Sequence, residues 1–195
     1  MAKIPTEALK QIFLDARTQN GWLDQPVPDE QLREIYDIAK MGPTSMNTQP
    51  MRVLFLRTKQ AKQRLAPALS PANLDKTMAA PVTAIVARDT RFYEYMPEIW
   101  HKPEARETFE NNQALAQATA IRNATLQGAY LIIAARAIGL ECGPMSGFDP
   151  AKVNAEFFPD GRCQVDFLCN IGFGDSSKLF GRQPRHSFEL ACQLL

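Results

Sequence analysis

Histidine is almost missing from this chain: His101 and His186 are the only two in 195 residues. Cysteine is sparse as well, and Cys142, Cys163, Cys169 and Cys192 form no Cys-x-x-Cys pair. A metal site needs clustered ligands, so none is expected, and free, mostly buried thiols in a cytoplasmic chain are the simpler reading. Charge of one sign is lacking too. The net charge is +1 and there is no basic block, which gives neither nucleic acid nor an acidic membrane surface a field to bind. No apolar run reaches membrane-spanning length, and the opening Met-Ala-Lys-Ile-Pro-Thr-Glu lacks the apolar core of a signal peptide. Repeats, low-complexity tracts and linkers are absent, so residues 1–195 read as one domain long enough to bury a sizeable core. The Gly172-Phe173-Gly174-Asp175-Ser176-Ser177 stretch has no third glycine and no helical pattern after it, so the dinucleotide fingerprint fails.

What is present is organised around Gly42–Val53, Gly-Pro-Thr-Ser-Met-Asn-Thr-Gln-Pro-Met-Arg-Val. A helical pattern stops at Gly42 and a strand pattern starts at Arg52. Between them lie Thr44, Ser45, Asn47, Thr48 and Gln49, bracketed by Pro43 and Pro50. Proline fixes φ and biases the residue before it away from helix. The loop is therefore stiff and gathers donors and acceptors in one place, which suits a planar heterocycle.

The flanking elements follow from periodicity. Leu9, Ile12, Phe13 and Ala16 share one face of a helix over 6–16, and Leu32, Ile35 and Ala39 one face of a second helix that starts near Pro28 or Asp29 and stops at Gly42. Residues 52–57 and 82–87 read as buried strands, 59–69 as a helix, and 91–111 as an aromatic and charged excursion. Residues 112–138 are the longest periodic stretch. At roughly 1.5 Å per residue they would span about 40 Å, and with few charges this helix is expected to be buried nearly all round. Glu141 to Gly147 is rich in glycine and proline and reads as a loop with free backbone N–H groups, leading to Asp149 as an N-cap before Pro150. Residues 163–172 form a last apolar strand, and a short helical pattern lies at Phe188–Ala191.

The central loop resembles the Pro-Ser-Ser-x-Asn-x-Gln-Pro-Trp segment of the nitroreductase family of FMN enzymes, with Thr44 for the first serine and Met51 for the tryptophan. Other stretches strengthen the resemblance, which runs from Arg17 to Pro184. The family opens with Arg-Arg-Ser-x-Arg-x-Phe ahead of Asp-x-Pro-Val. With the register fixed on Pro26-Val27, Thr18 stands at the serine, Asn20 at the second arginine, Ala16 at the first and Trp22 at the phenylalanine. Arg17 is then one place off the usual phosphate arginine. The family's Asn and Lys that face the flavin match Asn73 and Lys76. Its Pro-x-Glu-Gly-Phe-Asp segment over the flavin matches Pro144-Met145-Ser146-Gly147-Phe148-Asp149, with Ser146 in place of the Glu. Its phosphate arginine before a proline matches Arg182, and its lysine two places earlier is Phe180 here, with Lys178 a possible substitute.

The resemblance implies an α+β fold, a central and mainly antiparallel sheet flanked by helices, paired into an intertwined homodimer in which both chains build each site. It implies FMN held by Arg17, Thr18, Asn20, Pro43, Thr44, Ser45, Asn47, Asn73, Lys76, Pro144, Met145, Ser146, Gly147 and Arg182. It implies hydride transfer from NAD(P)H to flavin N5 and onward to a small aldehyde, quinone or nitro acceptor, with no catalytic acid or base identified among the side chains. It is nearest to the malonic semialdehyde reductase branch, whose product in pyrimidine degradation is 3-hydroxypropionate. Loss of the acidic side chain at Ser146 removes a charge that would repel a carboxylate substrate, and Arg17, Arg52 or Arg88 could pair with that carboxylate. A nitroaromatic or quinone reductase and a low-turnover flavin-binding protein are the alternatives.

Overall fold

The computed structural model describes residues 2–195. The first helix, α1 (Thr6–Leu9), passes directly into a π-helical turn, Lys10–Leu14. The single helix expected over 6–16 is thus interrupted, and its apolar face is only partly covered: Leu9, Ile12 and Ala16 are half-buried and Phe13 is 49% exposed. Helix α2 (Asp29–Ala39) carries Asp29 and Glu30 in its first turn, where the helix dipole favours negative charge, and buries Leu32, Ile35 and Ala39.

Strand β1 (Met51–Leu56) follows the Pro43–Pro50 loop. Helix α3 (Lys59–Leu65), capped by the Thr58 hydroxyl, ends in a 3-10 turn at Ala66–Ala68. Helix α4 (Pro71–Ala79) leads into β2 (Val82–Asp89). The 91–111 excursion is no loose connection. It folds into α5 (Met96–Ile99) and α6 (Ala105–Glu110), and Phe92, Tyr93, Met96 and Phe109 make a core of their own against Ala116 and Ala120.

Those two alanines belong to α7 (Gln113–Ala137), capped at its start by the Asn112 side chain. Small residues let α7 lie close to the sheet: a methyl on Gly128 would sit 2.5 Å from the Phe167 ring. Within the single chain burial is one-sided, with Leu115, Ile121 and Leu126 each at least 40% exposed. Its end is marked by Gly139 at φ 87°, a left-handed residue that favours glycine.

Glu141–Met145, expected as a loop, is strand β3. Proline is tolerated there because β3 is an edge strand and pairs on one side only. Helix α8 (Pro150–Phe157) starts at the predicted Asp149 cap, whose Oδ1 accepts the N–H groups of Ala151 and Lys152. Strand β4 (Cys163–Gly172) and helix α9 (Phe188–Ala191) complete the chain.

The sheet order is β1-β2-β4-β3, and every neighbouring pair is antiparallel. Alternation along β2 splits the core: Ala84 and Val86 face α2 and α7, while Ile85 faces the layer built by Leu65, Ala68 and Val153. The α+β architecture expected from the sequence is the one observed.

Candidate functional site

At one end of the sheet the chain between α1 and α2 lies against β3 and β4. Thr18 bridges Cys142, Trp22 bridges Gly174, and the Gln19 N–H donates to the Cys142 carbonyl at 2.9 Å. This turn brings Arg17, Thr18 and Asn20 to a cavity of about 410 Å³ that also holds Arg136, Arg182 and Arg185. Four arginines line this one cavity, a donor set that suits an anion. Their mutual cost is visible at Arg182, whose pKa burial pushes down first and Arg17 and Arg185 push further. Arg17 donates to the carbonyls of Leu14, Asp15 and Ala16, and Arg182 donates to those of Phe13, Leu14 and Ala16. Despite its one-place offset, Arg17 thus lines the same cavity as Arg182, and both arginines converge on the same turn. Lys178 takes no part in this lining, its stem packing where a Cβ of Gly21 would lie.

Lys76 reaches the turn through Asn20, its ammonium donating to Asn20 Oδ1 at 3.4 Å. Its backbone is fixed independently: the Lys76 carbonyl accepts from Trp22 Nε1 at 3.0 Å and from Asn170 Nδ2 at 3.4 Å. The α4 helix that carries it is held at its C-terminal end by Lys62, which is buried and donates to the carbonyls of Thr77, Met78 and Ala80. Burial lowers the Lys62 pKa. One turn before Lys76, Asn73 Nδ2 donates to the Gly147 carbonyl at 2.9 Å, and a methyl on Gly147 would lie 2.6 Å from that same nitrogen. The backbone at 147 thus comes as close to Asn73 as a residue without Cβ allows.

Pro144, Met145 and Ser146 line a neighbouring cavity of about 450 Å³. It contains a carboxylate after all: Asp166, whose Oδ2 accepts from the Thr125 hydroxyl at 2.6 Å. Ser146 therefore does not leave the place free of negative charge. Arg52 and Arg88 do not line this cavity. Arg52 pairs with buried Asp89 at 2.8 Å, and Arg88 donates to Gln164 Oε1 at 2.7 Å.

The central loop stands apart from this group. Ser45 N–H donates to Asn123 Oδ1 at 2.8 Å and Met51 N–H to Gln127 Oε1 at 3.0 Å, so two side chains of α7 grip the loop at both ends. Asn47 Nδ2 donates to the Ile99 carbonyl, and Thr44 Oγ1 accepts from the Gln49 N–H. Met46, Asn47 and Gln49 all have positive φ, at 51°, 55° and 41°, a conformation that costs non-glycine residues energy and needs such anchoring. Pro43 is exposed beside it. The predicted set thus falls into two parts within one chain: residues 17–20, 73–76, 144–147 and 182, and separately 43–47.

Sequence reasoning missed Gln19, Asn123, Gln127 and Asn170, and it named Trp22 without seeing its bond to the Lys76 carbonyl. For two of them a signal existed, since Asn123 and Gln127 are amides four residues apart on the same helical face as Ala116, Ala120, Ala124 and Leu131. Among the described residues, no group of three or more His, Cys, Asp or Glu could hold a metal ion, and no helix is long and apolar enough to cross a membrane.

Residues 16–172 match the Nitroreductase family. A Ralstonia pickettii protein provisionally named NADH dehydrogenase/NAD(P)H nitroreductase HadB is 55% identical over 192 residues, covering 97% of this chain and 98% of its own length. A Cupriavidus pinatubonensis protein with the same provisional activity name is 53% identical over 191 residues, covering 96% and 97%. Among solved structures, a nitroreductase-like protein from Exiguobacterium sibiricum in complex with FMN superposes with a TM-score of 0.86 at 17% identity, over 100% of this chain and 99% of that one. Fold, sequence match and relatives agree, and the chain belongs to the nitroreductase family.

Proposed function

We propose that this chain is an FMN-dependent NAD(P)H oxidoreductase. The observation that carries the reading is the arginine cavity joined through Asn20 to Lys76. Arg17 and Arg182 suit the phosphate; Thr18 offers a hydroxyl. Asn20, Asn73 and Lys76 suit the polar rim of the flavin, and the backbone at Gly147 has no side chain to block a ring. FMN held there would supply the redox chemistry, hydride transfer between NAD(P)H and the acceptor. The chain's own residues bind, orient and bias. A fixed ammonium at Lys76 stabilises negative charge where it develops on reduction, and Asn20, being neutral, leaves that task to Lys76 alone.

The acceptor we propose is malonic semialdehyde, reduced to 3-hydroxypropionate, because Ser146 presents a neutral side chain where the family has Glu. Asp166 in the same cavity, together with the names of the close relatives, favours a second reading, a nitroaromatic or quinone reductase. Ser146→Glu separates the two. It should raise KM for the semialdehyde and leave a neutral quinone almost unaffected; equal loss for both would mean that the change disturbed the flavin.

We also propose that two copies of the chain assemble each site. Loop 43–47 is tied to α7 and α5 rather than to the arginine cavity, so a second copy is needed to bring it there. The apolar surface for such pairing is present: Leu115, Ile121 and Leu126 on α7, and Phe180, Phe188, Leu190 and Leu194 on the terminal segment, are all exposed. Sedimentation should give a dimer; a monomer that still holds FMN tightly would contradict the assembly.

A further inference from the structure

Gln19 is fully buried, yet nothing in the phosphate cavity or the flavin rim needs it. Three hydrogen bonds hold its amide. Oε1 accepts the N–H groups of Asn20 and Gly21, at 2.9 and 3.2 Å, and Nε2 donates to Glu141 Oε2 at 2.5 Å. A carboxylate only accepts, so Glu141 dictates which end of the amide faces it and leaves the carbonyl end for the turn. Gly174 makes the space: a methyl there would fall 1.4 Å from Glu141 Oε2 and 2.1 Å from Gln19 Nε2, while one on Gly143 would fall 2.6 Å from the backbone carbonyl oxygen of Gln19. The Gly172-Phe173-Gly174 stretch, which is no dinucleotide motif, thereby acquires a purpose: it admits this pair.

The pair has a single outlet toward the site. The turn it fixes carries Asn20, whose Oδ1 receives the Lys76 ammonium, and Trp22, whose indole N–H holds the Lys76 carbonyl. We infer that Gln19, oriented by Glu141, is a positioning residue: through Asn20 it sets where the Lys76 charge stands, and so how strongly the protein prefers reduced over oxidised FMN. This rests on the reading that Lys76 faces the flavin. Glu141 and Gln19 never touch the cofactor in this account; they determine the place of a cation that does.

The test is the two-electron midpoint potential of bound FMN, measured with thermal stability, in Lys76→Met, Gln19→Leu and the double variant. Lys76→Met should lower the preference for reduced FMN the most. Gln19→Leu should lower it in the same direction by about tenfold, which is ~30 mV for two electrons, and the double variant should match Lys76→Met alone. Glu141→Ala, which keeps Gln19 but frees its amide to rotate, should move the potential the same way, and it carries the test if Gln19→Leu does not fold. A lowered melting temperature with an unmoved potential in both Gln19→Leu and Glu141→Ala would make the pair merely structural and overturn the inference while leaving the Lys76 reading intact. Fully additive shifts in the double variant would do the same. An unmoved potential in Lys76→Met would instead sink the Lys76 reading and the inference with it.

Discussion

Gln127→Leu tests how the loop is held. The change keeps the volume of the side chain but removes the acceptor of the Met51 N–H, a bond whose two residues are 3% and 5% exposed. No water can readily replace it. A buried donor left unpaired costs about 1–3 kcal/mol. For a protein of this size each kcal/mol moves the melting temperature by about 2–4 °C, so the loss should be about 2–12 °C. The loop that this bond ends contains three non-glycine residues at positive φ, each costing on the order of 1–3 kcal/mol. Freed at one end, it has reason to relax out of that conformation. FMN affinity should therefore fall along with stability. Thermal melts at fixed protein concentration, with FMN titration alongside, make the measurement. An unchanged melting temperature for Gln127→Leu would refute the reasoning that burial decides the cost.

Three further outcomes follow from the same geometry. Arg182→Ala should weaken FMN binding about tenfold or more by removing one charge-assisted bond, and binding should become less sensitive to added salt; an unchanged dissociation constant would make Arg182 a simple cap on the first helix. Gly147→Ala should cost about 1–3 kcal/mol through overpacking and weaken FMN binding, since the new methyl meets Asn73 Nδ2 at 2.6 Å and Ser70 Oγ at 2.8 Å; normal FMN binding would mean that Asn73 yields without consequence. In native protein at pH 8 a thiol reagent should label exposed Cys192 and spare Cys169, whose pKa the neighbouring Cys142 thiol and full burial hold well above the ordinary range; rapid labelling of Cys169 before unfolding would show that the sheet opens locally.

Much of the fold was legible because its signals are local. The runs 82–87 and 163–172 are apolar enough to be strands wherever they sit, and Asp149-Pro150 announces a helix start by capping chemistry alone. The failures share a cause. Glu141–Met145 has the composition of a loop and becomes a strand only because β4 offers an edge that tolerates proline. The 91–111 segment reads as an excursion, and its aromatics find a core only against α7. The site divides in the same way: the family resemblance put Asn73, Lys76 and Arg182 forward, whereas Gln19 depends on Glu141, 122 positions away, and periodicity carries no trace of such a partnership. Arg17 lies between these cases. Its offset from the family register left its role open, and the structure adds that Arg17 and Arg182 both donate to the Ala16 carbonyl at one helix end.

The central claim is that one bound flavin meets both NAD(P)H and a small carboxylate-bearing aldehyde. Stopped-flow reoxidation of the NAD(P)H-reduced protein by malonic semialdehyde, quinones and nitroaromatics tests it most directly. The account predicts yellow protein that bleaches with NAD(P)H and recolours fastest with the semialdehyde. Protein that binds no FMN would contradict the whole account, and much faster recolouring by quinones or nitroaromatics would contradict the assigned acceptor.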